Sequence, residues 1–133
     1  MVLVDTSVWI DFLRGTPTRQ VATLEALLEG EDLVGTAPII LQEVLQGADS
    51  PARFEQWRRE FSGLMCYLPL DPIDSHVEAA RMYSACRRAG STPRSSNDCL
   101  IARIAIEHAL ALLEDDRDFK AIAAVDDRLR LLE

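Results

Sequence analysis

The sequence predicts an α/β fold in which helices cover both faces of a parallel sheet. Three observations support this class. Short apolar segments alternate with segments of helical periodicity along the chain, which is the pattern of strand–helix–strand units. The chain has 133 residues, of which 48% are hydrophobic, and this suits one domain with a sizeable core. Two apolar segments run directly into acidic residues, at "VLVD" and "LLEDD".

The chain begins with a predicted strand and a predicted helix. The strand is the wholly apolar segment from Val2 to Val4. The helix runs from Ser7 to Leu13, and we expect Thr6 or Ser7 to cap its amino end and Gly15 to close it.

The next segments predict a helix, a short strand or extended link ("DLVGTA"), and two more helices. The helix of "PIILQEVLQGA" begins at Pro38, a favoured first-turn residue, and ends near Gly47. Ser50 is the expected cap of the helix that begins at Pro51. Apolar residues recur at helical spacing in the first and third of these helices. In the first they are Val21, Leu24, Leu27 and Leu28, before Gly30, and in the third Phe54, Trp57 and Phe61 lie on one face.

The second half of the chain alternates in the same way. "MCYLPL" predicts a strand, "DPIDSHVEAARMYSACRRAG" a long helix that ends at Gly90, and "STPRSSND" a polar loop. Ser95 or Ser96 is the expected cap of the following helix, which is apolar nearly all round and therefore buried. "LALLEDD" predicts a buried strand, "RDFKAIAAV" a short helix and "LRLLE" a last strand.

Acidic residues interrupt this apolar context at four places: Asp5, Glu43, Asp98, and the group Asp115, Asp116 and Asp118. Singly, each has an ordinary explanation as a helix-end, turn or solvated residue. Parallel strands, however, bring their carboxyl ends and the following helix starts to one edge of the sheet. Carboxylates that converge there raise one another's pKa and favour a hard divalent cation, as in sites that cut phosphodiesters. Ser7 is placed to orient Asp5 or a water molecule.

The composition limits the partners. The formal net charge is −8, which by itself argues against a nucleic-acid surface and favours a bound cation or a basic protein partner. The three cysteines are widely spaced without a CxxC pair, so a zinc site or disulfide framework is not expected. We find no signal peptide or membrane-spanning pattern and expect a cytoplasmic protein.

Four segments together resemble the motif regions of the PIN-domain ribonucleases, most closely the VapC-type toxins of bacterial type II toxin–antitoxin modules. They are "LVDTSVWIDFL", "IILQEVLQG", "SSNDCLIARIA" and "LLEDDRDFKAIA". The resemblance spans Val2 to about Ala124. It implies a single PIN domain over residues 1–133, with a three-layer α/β/α fold around a five-stranded parallel sheet. It also implies an endoribonuclease toxin, dependent on Mg²⁺ or Mn²⁺, that hydrolyses RNA with metal-activated water and is inhibited by a cognate antitoxin.

The resemblance also implies roles for individual residues. Asp5, Glu43, Asp98 and Asp116 match the four acids of the family, and Asp5, Asp98 and Asp116 are the expected metal ligands. The supporting residues are Ser7, Thr6, Asn97, Asp115 and Asp118, and Asp115 is an alternative to Asp116 as the acid that reaches the metal. The chain departs from the family at Glu114, where many members carry Thr or a small polar residue.

Contacts with partners are further expectations. Arg14, Arg87, Arg94 and Arg117 flank the motifs, and we expect some of them to contact the RNA backbone. Trp9, Phe12 and Leu13 belong either to the core or to a groove for an amphipathic helix of a VapB-type antitoxin. The resemblance implies a homodimer and an antitoxin whose basic side chain enters the acidic site.

Three alternatives remain at this stage. A PIN nuclease of RNA maturation would have the same motifs, and a neighbouring antitoxin gene would distinguish the toxin from it. A catalytically inactive binding module would be marked by loss of an acid, and all four are present. A phosphohydrolase of the haloacid dehalogenase type needs a second Asp where this chain has Ser7.

Overall fold

The computed structural model describes residues 1–31 and 33–132 and contains a five-stranded, wholly parallel sheet in the strand order β3-β2-β1-β4-β5. The predicted α/β class with a parallel sheet between helices is therefore confirmed. The strands are β1 (Val2–Val4), β2 (Val34–Thr36), β3 (Met65–Cys66), β4 (Ala111–Leu113) and β5 (Arg130–Leu131). The helices are α1 (Thr6–Arg14), α2 (Arg19–Glu29), α3 (Pro38–Leu45), α4 (Pro51–Phe61), α5 (Pro72–Arg88), α6 (Asn97–Glu107) and α7 (Arg117–Val125).

The central strand β1 organises the site. Its residue Leu3 pairs with Gly35 on one side and Leu112 on the other, and Leu3 and Leu112 are fully buried. A strand buried on both faces reads as a continuous apolar run, which explains why β1 and β4 lack alternation. Because β1 and β4 are parallel neighbours, the residues that follow them emerge at the same edge of the sheet.

The helices form two packed groups around the sheet. Helix α1 packs against α2 and α3, while α5, α6 and α7 pack against one another. Helix α6 places Cys99, Ile101, Ala102, Ile104 and Ala105 in the core, as expected for a helix that is apolar nearly all round.

Gly35 on β2 is required by a close approach. A Cβ atom at this position would lie 2.3 Å from the ring of Tyr67. Tyr67 itself follows β3 and is held by a backbone hydrogen bond from its N–H to the carbonyl of Thr36 at 2.8 Å.

Several predicted boundaries differ from the structure. The α1 cap is Asp5, not Thr6 or Ser7, because the carboxylate reaches the N–H of Ser7. Strand β3 has two residues, since the chain leaves the sheet after Cys66. Of the three aromatic residues predicted on one face of α4, Trp57 and Phe61 are buried, whereas Phe54 is 38% exposed.

Two more predictions concern the ends of segments. Ser96 immediately precedes α6 but makes no side-chain capping bond, whereas Ser95 Oγ accepts the N–H of Asn97 at 3.2 Å. Asp32, the first residue of the segment "DLVGTA", and Glu133, the last residue of "LRLLE", lie outside the described residues. Across the described ranges, no helix has the length and hydropathy needed to cross a bilayer.

Candidate active site

The candidate site lies at the edge of the sheet where β1 and β4 end. Asp5 follows β1 directly, and its N–H donates to the carbonyl of Leu113 on β4 at 2.9 Å. This bond extends the hydrogen-bond ladder between β1 and β4 by one residue. The residues that follow the two strands therefore have neighbouring backbone positions. Asp5 is only 4% exposed, and Glu114, the next residue after β4, is also buried.

Asp5 is held by the start of α1. Its Oδ2 accepts hydrogen bonds from Ser7 Oγ at 2.8 Å and from the N–H of Ser7 at 3.4 Å. Burial raises the pKa of Asp5 to about 6, although the hydrogen bonds from Ser7 and from the Thr6 backbone oppose the rise. Ser7 therefore orients Asp5, which is one of the two roles considered for it.

Asp98, in the first turn of α6, lies among the other acids. Burial raises its pKa to about 7, and the negative charges of Asp5, Asp116, Glu43 and Asp118 contribute further. The acids predicted to converge therefore do lie close enough to repel one another. A carboxyl group that resists ionisation in this way is favourable for an added cation, since the cation removes the repulsion.

Asp116 and Asp118 complete a compact acidic cluster with Asp98. One carboxylate oxygen of each of these three residues lies within 4.8 Å of the others. Asp115 is exposed and is not in this group, so Asp116 is the acid that the fold brings to the cluster. Among the residues that the structure describes, Asp5 is outside this tightest group and Asp118 is inside it. The predicted set of Asp5, Asp98 and Asp116 thus differs from the closest set by one member.

Glu43 is positioned by two polar residues from other helices. Thr6 Oγ1 donates to Glu43 Oε1 at 2.7 Å, and Asn97 Nδ2 donates to Glu43 Oε2 at 3.4 Å. These contacts join α3 to the starts of α1 and α6. Thr6 and Asn97, both expected to support the site, therefore hold the second acid of the motif set in a fixed orientation.

Glu114 has a role that sequence reasoning missed. Its Oε2 accepts the N–H of Asp116 at 2.8 Å, and the side chain is largely buried. A glutamate thus closes the turn that leads from β4 into α7. The departure from the usual Thr or small residue keeps an acceptor for this backbone N–H. The sequence feature that could have indicated this role is the position of Glu114, two residues before Asp116.

Arg94 is engaged inside the site. Its Nη2 donates to Asp116 Oδ1 at 2.8 Å, and its Nε donates to Asp118 Oδ2 at 3.2 Å. Burial by itself would raise the pKa of Asp118, but hydrogen bonds from the Arg94 backbone and side chain outweigh it and lower that pKa. Arg94 was predicted only as an RNA contact, and its spacing from the acids gave no sign of this ion pair.

The other three arginines predicted to bind RNA are exposed. Arg14 Nη2 is 3.5 Å from the carbonyl of Gly47, and the Arg87 guanidinium is 6.0 Å from the centre of the Tyr83 ring. Arg117 is exposed on the first turn of α7, and its charge helps to lower the pKa of Asp118. Their guanidinium groups are thus available for an additional contact.

The three apolar residues expected at a partner groove separate into two environments. Trp9 is 3% exposed and packs against the rings of Phe12 and Phe61, with centroid distances of 5.9 and 4.8 Å. Its place is therefore the core, and it is not available as an open groove residue. Phe12 and Leu13 line a shallow cavity of about 200 Å³ between α1 and α4, together with Trp57.

The donor set fits a hard divalent cation. Asp98, Asp116 and Asp118 offer only oxygen ligands, the ligand type of Mg²⁺, Mn²⁺ and Ca²⁺, and they are within reach of one ion. Burial raises the pKa of Asp98, and the negative charges of Asp5, Asp116, Glu43 and Asp118 raise it further, so an added cation would be favourable here. The cluster can therefore hold such an ion.

Comparisons with known proteins agree with this arrangement. Residues 2–125 match the PIN domain family. The chain is 37% identical over 126 residues to Ribonuclease VapC11 of Mycobacterium tuberculosis, covering 94% of this chain and 93% of that protein. It is 29% identical over 124 residues to Ribonuclease VapC32 of the same organism, covering 93% and 91%.

Solved structures share the fold. The toxin–antitoxin complex VapBC2 of Rickettsia felis, crystallised with a DNA fragment from its promoter, superposes with a TM-score of 0.75 at 18% identity over 99% of this chain and 98% of that one. VapBC-1 of nontypeable Haemophilus influenzae gives a TM-score of 0.72 at 16% identity over 100% and 98%. The chain belongs to the PIN-domain family and, within it, to the VapC ribonuclease group.

Proposed function

We propose that this chain is a divalent-metal-dependent endoribonuclease of the VapC type, acting as the toxin of a toxin–antitoxin pair. The observation that carries the proposal is the convergence of Asp5, Glu43, Asp98 and Asp116 at one edge of the sheet. There the negative charges of the other three add to the effect of burial in raising the pKa of Asp98. The 37% identity to Ribonuclease VapC11 supports RNA as the substrate. RNA as the substrate in turn supports the cytoplasm as the place of action.

Asp98 and Asp116 are the residues that would hold the metal, with Asp5 or Asp118 as a further ligand. A bound Mg²⁺ or Mn²⁺ supplies Lewis-acid polarisation of the phosphodiester and a lowered pKa for water at the site. Ser7 Oγ holds Asp5 Oδ2 in the required orientation. The N–H of Asp118 binds Asp116 Oδ1 at 2.9 Å and so helps to fix the rotamer of that residue.

Glu43 is placed to orient water and to accept its proton. Thr6 Oγ1 occupies one of its oxygens at 2.7 Å, while the longer contact from Asn97, at 3.4 Å, leaves Oε2 more available. Glu43 Oε2 is therefore the atom at which we place the proton taken from the attacking water.

The RNA backbone is bound by arginines around the acidic centre. Arg14, Arg87 and Arg117 are exposed and lie on three different helices, and Arg94 lies on the loop before α6. A guanidinium group matches the geometry of a phosphate, so a few such contacts can offset the repulsion from a chain of charge −8.

Two protein partners complete the proposal. Phe12 and Leu13 line a cavity that also contains Arg53, Gln56 and Glu60, and this mixed lining suits an amphipathic helix of a VapB-type antitoxin. The negative charge of the chain suits a basic segment of that antitoxin. A second copy of the chain covers exposed apolar residues that lie close together in sequence: Leu68, Leu70, Ile73 and Val77.

Cleavage of total cellular RNA by the purified, antitoxin-free protein tests the function. Reactions with Mg²⁺, Mn²⁺ or EDTA are run beside Asp98→Asn. Discrete fragments that require metal and disappear in the variant are the expected result, and mapping of their ends identifies the target. A folded protein that cleaves nothing with either metal contradicts the nuclease proposal and favours the inactive binding module.

A further inference from the structure

The Arg94 guanidinium occupies the acidic cluster as a cation would. Three donors of this one residue bind two carboxylates: Nη2 binds Asp116 Oδ1 at 2.8 Å, while Nε and the backbone N–H bind Asp118 Oδ2 at 3.2 and 3.0 Å. Both acids belong to the group whose oxygens lie within 4.8 Å of one another. The positive charge therefore partly balances the excess negative charge at the site.

The two ends of this contact differ in strength. Asp118 is 7% exposed and is bound by the backbone of Arg94 as well as by Nε, so it anchors the loop of residues 91–96 to α7. The Asp116 contact uses a terminal nitrogen of a side chain that is 67% exposed. An exposed ion pair of this kind contributes little and is readily exchanged. The Asp116 end can therefore open while the Asp118 end remains closed.

We propose that Arg94 is the internal counterion of the metal-free site and competes with a divalent cation for Asp116. The inference rests on the proposed function, because it takes Asp98 and Asp116 as metal-holding residues. Asp116 Oδ1 accepts both Arg94 Nη2 and the N–H of Asp118, at 2.8 and 2.9 Å. A divalent ion at this carboxylate would repel the adjacent guanidinium. Metal binding then frees the end of Arg94, while Asp118 keeps its backbone in place.

Calorimetric titration with Mn²⁺ alone tests the competition. Arg94→Ala is expected to bind Mn²⁺ about 2- to 5-fold more tightly than the unaltered chain, the range that corresponds to an exposed ion pair. Arg117→Ala is the charge-matched control, since Arg117 is adjacent to Asp116 in sequence and makes no ion pair in the described part of the chain. Its affinity is expected to change less. Arg94→Lys keeps the charge but cannot span both acids, so its Mn²⁺ affinity should fall between those of Arg94→Ala and Arg117→Ala.

Thermal unfolding supplies a readout that is independent of activity. Without metal, Arg94→Ala is expected to unfold at a lower temperature than the unaltered chain, because two acids lose their counterion. With saturating Mn²⁺ the difference should shrink, since the Asp116 contact is already broken. Circular dichroism checks that Arg94→Ala is folded. If it is not folded, the same comparison is made with Arg94→Lys.

The outcomes separate this inference from the proposed function. Equal Mn²⁺ affinities for Arg94→Ala and Arg117→Ala, with clear binding by the unaltered chain, would overturn the inference alone. A stability difference that Mn²⁺ leaves unchanged would do the same, because it would give Arg94 a purely structural role. Failure of the unaltered chain to bind Mn²⁺ would overturn both the metal site and the competition.

Discussion

The backbone N–H of Asp116 donates to Oε2 of Glu114 at 2.8 Å, two residues back along the chain. This bond closes the turn between β4 and α7 and sets the direction in which the Asp116 carboxylate leaves the backbone. Asp116 is also the N-cap of α7, since its carboxylate accepts the N–H of Asp118. Glu114, a buried acid outside the acidic cluster of Asp98, Asp116 and Asp118, therefore positions a member of that cluster.

Replacing Glu114 should separate this positioning role from charge. Glu114→Ala leaves a partly buried N–H without an acceptor, and we expect a loss of about 1–2 kcal/mol in the free energy of unfolding. Glu114→Gln keeps the acceptor oxygen and should retain most of that stability. Urea unfolding measures both. Equal stability for the alanine and glutamine variants would show that the hydrogen bond to Asp116 contributes nothing.

The stability of the metal-free protein should increase as the pH is lowered from 8 to 5. Folding raises the pKa of Asp5 to about 6 and that of Asp98 to about 7, from ordinary values near 3.8. Between these values the folded state binds more protons than the unfolded state, so stability falls as pH rises through this window. Asp118 and Asp126 have lowered pKa values and lose their contributions only at more acidic pH.

Thermal unfolding in the presence of a chelator measures this dependence. We expect the unfolding temperature to be higher at pH 5 than at pH 8, since the two raised pKa values together correspond to roughly 3–4 kcal/mol over this range. Asp98→Asn should be more stable than the unaltered chain at pH 8 and should show a flatter profile. If Asp98→Asn keeps the full pH dependence of the unfolding temperature, groups other than Asp98 cause that dependence.

Divalent metal should stabilise the protein more at pH 8 than at pH 5.5. At pH 8 the acids are ionised and Mn²⁺ is expected to raise the unfolding temperature, because a ligand that binds only the folded state stabilises it. At pH 5.5 protons compete for Asp5 and Asp98, and the same Mn²⁺ concentration should give a smaller shift. An identical shift at both pH values would place the bound ion away from these acids.

The sequence predicted the parts of the site that depend on local pattern. Asp5 and Asp116 follow apolar strands and Asp98 starts an apolar helix, so their convergence follows from parallel topology alone. The partners of those acids were less visible. Arg94 is 22 residues from Asp116 and 24 from Asp118 in sequence, and their contact depends on how the loop before α6 lies against α7. Asp5 as the α1 cap was missed because Thr6 and Ser7 are equally good capping residues.

Ile73 tests the proposed contact between two copies of the chain. It is 78% exposed on the first turn of α5, and Val77 lies one turn further on the same face. Ile73→Asp would place a charge inside an apolar interface, so we expect a dimer to become a monomer in light scattering. Leu28→Asp, at an exposed apolar residue of α2, is the control and should keep the assembly of the unaltered chain. Loss of the dimer in both variants would contradict the proposal that this face forms the contact between two copies of the chain.

Thr6 tests whether the orientation of Glu43 matters for cleavage. Thr6→Val has nearly the same shape but removes the donor of the 2.7 Å bond to Glu43 Oε1. We expect cleavage to slow about tenfold, equivalent to about 1.4 kcal/mol, through kcat with little change in KM. Thr23→Val is the matched control, because the Thr23 hydroxyl donates only to the carbonyl of Arg19 on α2. If both variants cleave RNA like the unaltered chain, Glu43 does not depend on Thr6, and its contact with Asn97 alone would have to orient it.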